Sequence, residues 1–317
     1  MIRDQRPGAL RMVSSGELAV LGIVTVATRF QPSGIALTVD SHQHFWRYDP
    51  ARDSWITDEM SVLKCDFLPA DLLPELSANG MDACVAVQAD QSEKETLFLL
   101  DLAQRHKPIV GVVGWLDLCA RNLPERLQYF SQFEKLRGFR HIVQAEPDDR
   151  FLIRTDFLRG IGCLAEFHYT YDILIYAKQL PAAIELVAKF PGQRFVVDHI
   201  AKPPVKGGER TGTSREWARH MREIAANANV YCKLSGMITE ADWRHWRAED
   251  FTPYLDVAFE AFGPDRLMFG SDWPVCLLAG TYGQAKQLIV DYLRDRRDTE
   301  KEKIFGANAA RFYGLKD

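Results

Sequence analysis

Two histidines one residue apart, His42 and His44, end a short apolar run that begins near Ile35. Side chains on a strand alternate, so both imidazoles point to one side and can share a divalent cation. A third, His199, closes the run Arg194–His199, where a buried imidazole without a partner is costly. Donation of a hydrogen bond to a carbonyl oxygen is the task that suits it. Asp272 follows the run Arg266–Gly270, in Gly270-Ser271-Asp272-Trp273-Pro274, and is placed to take a proton from water. A turn cap before Pro274 is the competing reading. Arg140, His141 and Gln144 end the run Gly138–Val143. A guanidinium, an imidazole and an amide so close together can grip a hydroxylated or anionic ligand. Tyr171 and Asp172, with Lys233 and Ser235, stand at two further runs as lesser candidates, and His106, His168, His220 and His245 read as surface or packing residues.

These residues need elements that bring distant ends together. The strand-like runs are Ile35–His42, Ala83–Gln88, Ile109–Trp115, Gly138–Val143, Asp172–Tyr176, Arg194–His199, Asn229–Leu234 and Arg266–Gly270. Most are continuously apolar, as expected of strands buried on both faces. Helical patterns fall between them: Ser92 and Glu95 are spaced as a capping box, and Pro181 sits early in another helix. Eight such alternations predict an α/β fold, a single (β/α)8 TIM-type barrel over 37–317, with the active site at the carboxyl ends of its strands. An open doubly wound sheet is disfavoured because no G-x-G-x-x-G follows the first run. The long segment Gln43–Phe67 carries Phe45, Trp46, Tyr48 and Trp55, which could wall off a substrate, and Trp46 is the expected contact. Trp115, Trp243 and Trp246 read as core aromatics.

The net charge of −4 supplies no basic excess for nucleic acid or an anionic membrane surface. Cys65, Cys84, Cys119, Cys163, Cys232 and Cys276 form no C-x-x-C pair and read as reduced thiols of a cytoplasmic protein. No run is long enough for a membrane span. Residues 1–36 carry none of the motifs. Leu18–Ala27 is too poorly flanked for a signal peptide, so the stretch is expected to be a dispensable extension.

The segments DSHQHFW, GFRHIVQAEPD, YDILIYAKQL, FVVDHIAKP, CKLSGM and FGSDWPV together resemble the amidohydrolase superfamily, and within it the sugar-lactonase branch, from about Val39 to Leu315. The resemblance implies hydrolysis of a sugar lactone to its aldonate. Asp272 would act as base and then acid, His199 as oxyanion donor, and Arg140, His141 and Gln144 as substrate contacts. It leaves room for one weakly held zinc among His42, His44 and Asp272, and leaves metal dependence open. Strand five offers no histidine, which argues against a two-metal centre. A lactonase for carboxylated or sulfonated aromatic-breakdown products would instead use Arg140, Lys202 and Lys233. A related decarboxylase and a non-catalytic sugar-acid-binding barrel are the remaining alternatives.

Overall fold

A computed structural model describes residues 37–208 and 211–315. The expected amino-terminal extension lies outside the described residues. Eight parallel strands form one sheet in sequence order: β1 Val39–Gln43, β2 Ala83–Val87, β3 Ile109–Gly114, β4 Leu136–Ile142, β5 Thr170–Leu174, β6 Phe195–Val197, β7 Val230–Leu234 and β8 Leu267–Phe269. All eight expected strands occur, β6 and β8 shorter than the apolar runs suggest. Helices α1 Pro69–Ala78, α2 Glu93–Arg105, α3 Leu123–Phe130, α4 Thr155–Glu166, α5 Leu180–Lys189, α6 Gly212–Ala225, α7 Thr252–Phe262 and α8 Tyr282–Tyr292 follow the strands in turn. Two short helices, α9 Asp298–Glu302 and α10 Asn308–Tyr313, complete this (β/α)8 barrel.

The sheet closes where β8 meets β1, and the closing bonds come from the chemical residues themselves. Asp272 N–H donates to the His42 carbonyl at 2.8 Å, and His44 N–H to the Trp273 carbonyl at 2.7 Å. Ser41 Oγ donates to the Phe269 carbonyl at 2.6 Å. Below this seam the barrel is packed rather than hollow. Val39, Val85, Val113, Val196 and Met268 fill its interior, and Phe312 and Tyr313 of α10 join the same cluster.

Two helix starts illustrate the local logic. Pro181 sits in the first turn of α5, where a missing N–H costs nothing. At α2, Ser92 Oγ accepts from Glu95 N–H at 3.1 Å, as expected. The Glu95 carboxylate does not return the favour; it accepts from Ala89 N–H at 3.2 Å, so only half the capping box forms. All six cysteines are free thiols. Among the described residues no helix is long and apolar enough to cross a membrane.

Candidate active site

Alternation explains which strand residues reach the centre. Val39 and His42 both face inward although three apart, because the β1–β2 register shifts between Asp40 and Gln43. His42 and His44 then share a face, their Nε2 atoms 3.2 Å apart. On β4, Arg140 points inward and His141 outward. On β6, Val196 points inward, and so does Asp198 two residues on. His199 should therefore face away. It does not, because His199, Ile200, Ala201 and Lys202 all take left-handed conformations, with φ of 54, 45, 57 and 47°. Such residues cost roughly 1–2 kcal/mol each. The turn is held by Trp217 Nε1–H donating to the Ile200 carbonyl at 2.8 Å. Its effect is to put consecutive residues, Asp198 and His199, on the same centre. Two glycines make room: a Cβ on Gly270 would stand 2.6 Å from His42 Cβ, and one on Gly236 (φ +59°) 2.5 Å from His199 Nδ1.

Asp272 is the hub. Its Oδ1 lies 3.4 Å from His44 Nε2, 3.8 Å from His42 Nε2 and 3.9 Å from His199 Nε2. Burial opposes its charge, yet the imidazoles of His199, His44 and His42 hold its carboxyl well below the usual range. His199 Nδ1 meets Ser235 Oγ at 2.9 Å. With the serine hydroxyl donating, Nε2 carries the proton and faces the Asp272 carboxylate; the other tautomer would turn a lone pair on it. Burial lowers the His199 pKa to about 4, so the ring is neutral at pH 7.

Beneath lies a buried charge network. Lys233 Nζ donates to Asp172 Oδ2 at 2.5 Å and stands 3.0 Å from Asp198 Oδ1. Tyr313 Oη donates to Asp172 Oδ2 at 2.7 Å. Arg140 Nη1 donates to Asp198 Oδ2 at 3.0 Å. Its Nη2 donates to the backbone carbonyl of Gln88 and, at 3.1 Å, to the Gln88 side chain. Burial pushes the Asp172 carboxyl up to about 6, whereas Lys233 and His42 outweigh burial at Asp198 and hold it down. Removing one partner from such a network leaves a buried charge uncompensated.

The donor set suits one metal ion. His44 Nδ1 meets the Val87 carbonyl at 2.7 Å and so carries the proton, leaving Nε2 free. His42 Nδ1 stands between Asp198 Oδ1 at 3.3 Å and Lys233 Nζ at 3.1 Å; in the tautomer that directs its proton to Asp198, Nε2 is free to ligate. Corners of a tetrahedron about 2.1 Å from an ion lie about 3.4 Å apart. The separations of 3.2, 3.4 and 3.8 Å among His42, His44 and Asp272 match that spacing.

A cleft of about 290 Å³ opens above, with His44, Arg140, Gln144, His199, Lys202 and Asp272 on its polar side and Trp46, Trp55, Ile142, Leu174 and Val275 on its apolar side. Trp46 is fixed rather than mobile, since it exchanges backbone hydrogen bonds with Phe67 at 3.0 and 2.9 Å. Gln144 Oε1 is buried there with no hydrogen-bond partner.

The structure thus gathers His42, His44, His199, Asp272, Arg140, Gln144 and Trp46, but not His141. That ring stacks on Phe151 behind the strand, donates to Glu146 at 2.7 Å and accepts from Trp115 Nε1–H at 3.3 Å. It braces the turn bearing Gln144. Sequence reading gave Asp198 and Gln88 no role; alternation from Val196 was the available signal for Asp198.

A barrel that closes on two β1 histidines, a post-β6 histidine and a post-β8 aspartate defines a hydrolase of the amidohydrolase type. The chain belongs to the amidohydrolase family, whose profile matches residues 39–315. It is 45% identical over 287 residues to an L-fucono-1,5-lactonase of Burkholderia multivorans, covering 88% of this chain and 97% of that one. An L-fucono-1,5-lactonase of Burkholderia ambifaria is 34% identical over 281 residues, covering 87% and 95%. A crystal structure of a Burkholderia multivorans amidohydrolase with bound zinc superposes with a TM-score of 0.85 at 44% identity, covering 89% of this chain and 100% of that one.

Proposed function

We propose that this chain hydrolyses a neutral sugar lactone of the L-fucono-1,5-lactone class to its aldonate. The similarity to two L-fucono-1,5-lactonases supports the substrate class. The observation that carries the choice among enzyme readings is that, among the described residues, each cation lining or underlying the cleft is already paired. Arg140 binds Asp198, Lys233 binds Asp172 and Asp198, and Lys202 binds Glu240 at 3.1 Å. None of these three is left for a substrate carboxylate or sulfonate, which disfavours the carboxylated-lactone alternative.

Asp272 accepts a proton from water as the water oxygen attacks the lactone carbonyl carbon. Charge builds on the carbonyl oxygen, and His199 Nε2–H donates to it as a neutral, fixed dipole. Collapse breaks the bond to the ring oxygen, and Asp272 returns its proton to that oxygen. Gln144 Oε1 holds a ring hydroxyl, Trp46 covers an apolar face of the ring, and Arg140, its guanidinium held by Asp198 and Gln88, fixes the floor beneath them. A divalent ion held by His42, His44 and Asp272, zinc being the natural choice for this donor set, would supply positive charge that acidifies water.

Hydrolysis ends in an aldonic acid that ionises, so a pH indicator follows it. The test is a screen of neutral sugar lactones and dicarboxylated lactones, with and without chelator. Turnover is expected on L-fucono-type lactones and none on dicarboxylates. Selective turnover of the dicarboxylates would overturn the reading.

A further inference from the structure

His42 Nε2 has two claimants. It faces His44 and Asp272 as a metal ligand would, yet Arg140 Nη1 also stands 3.2 Å from it and donates to its lone pair. The guanidinium cannot swing aside. It is 3% exposed and anchored by Asp198 Oδ2, the Gln88 carbonyl and Gln88 Oε1. Nor can it shed its charge, because an arginine stays protonated in a protein.

The charges beneath the cleft sharpen the conflict. Asp172 and Asp198 are met by Lys233 and Arg140, all four buried. Of the carboxylates that face the histidine cluster, that leaves Asp272 without a cationic partner of its own, while Asp40 lies outside the barrel interior and is bonded by Ser271 and Tyr282. A divalent ion added to Asp272 leaves one positive charge in excess, with a fixed guanidinium beside it in a medium that screens poorly. Ligation also takes from Arg140 the lone pair to which it donates.

We propose that Arg140 is the resident cation of this site and an antagonist of metal binding: it competes with a divalent ion for His42 Nε2 and sets a low ceiling on metal affinity. The proposal rests on His42, His44 and Asp272 being the metal ligands. Metal content is then a tunable property of the charge network, set by residues that never touch the ion.

Zinc affinity tests this without reference to activity. Metal-stripped protein is titrated with zinc against a chromophoric chelator at pH 7.5, using wild type, Arg140→Met, Asp172→Asn and His44→Ala. Arg140→Met removes the competing charge and should bind zinc about ten- to a hundredfold more tightly. Asp172→Asn removes a negative charge without touching any ligand and should bind about tenfold more weakly. Unchanged or weaker affinity in folded Arg140→Met overturns the proposal. Should that variant fail to fold, Asp172→Asn decides, and unchanged or tighter binding there overturns it equally. His44→Ala separates the two layers. If it loses zinc while Arg140→Met binds like wild type, the metal site stands and the antagonism falls. If it binds zinc like wild type, the ligand assignment fails and takes the proposal with it.

Discussion

Replacing Asp272 by Asn tests the proton-transfer role with little structural disturbance. The residue sits at φ 58°, a left-handed position that Asn tolerates well. Its backbone bonds, N–H to His42 at 2.8 Å and carbonyl from Cys276 N–H at 2.9 Å, do not involve the side chain. The side chain faces imidazoles at 3.4 to 3.9 Å rather than capping a helix. Stability should therefore change by no more than about 1 kcal/mol, a shift of roughly 2–4 °C in Tm for a domain of this size. Turnover should fall far more. An amide can neither take the proton from water nor return it to the ring oxygen, and general acid–base catalysis contributes about 10²–10⁴ in rate, or roughly 2.7–5.4 kcal/mol of barrier. The assay is kcat by pH indicator with Tm and zinc content on one preparation. Where metal is lost as well, added zinc should restore occupancy without restoring rate. A folded, metal-replete variant turning over near the wild-type rate would refute the mechanism.

Three further outcomes are expected. Ser235→Ala frees the His199 tautomer, so kcat should drop about tenfold, the worth of roughly one hydrogen bond, with ¹⁵N shifts of the ring reporting mixed tautomers; an unchanged ring spectrum would count against the assignment. Gln144→Ala should change the ranking of sugar lactones by kcat/KM, since its Oε1 is a buried acceptor without a protein partner, whereas an equal loss on all would mark a structural role. Burial raises the Glu95 carboxyl from 4.5 to about 7 in the folded protein, so its contribution to stability is complete below about pH 4.5 and is lost as pH rises through about 7. Ionising it costs on the order of 3 kcal/mol, and Glu95→Gln should match wild type in Tm near pH 5 and exceed it near pH 8; equal Tm at both values would remove Glu95 from the account.

Strand periodicity carried much of the architecture. Eight apolar runs with helices between them leave few options but a barrel, and strand ends locate its active face. The limits were local. His42 and His44 share a face as alternation requires, but their relation to Val39 depends on a register shift that no residue type announces. His199 reaches the centre for a reason the sequence hides: alternation assigns the inward position to Asp198, and only four successive left-handed residues, three of them Ile, Ala and Lys, bring His199 beside it. His141 shows the opposite failure. Neighbouring polar residues on one strand were read as a single grip, whereas the pleat sends Arg140 into the barrel and His141 behind it.

Tyr313, on α10, donates to Asp172, which lies on β5 and is paired with Lys233 on β7. In order of synthesis the aspartate comes first, its ammonium partner about sixty residues later and its phenol last. Until the lysine is present, dehydrating the barrel's centre strands an ion, and until the phenol docks the carboxylate lacks one of its donors, a place that water can fill. The valines around that carboxylate are ready to collapse early, but the charge they enclose resists it. The interior of this barrel should consequently be the last part of the protein to dry, with the docking of α10 expelling the final solvent from beneath the active site.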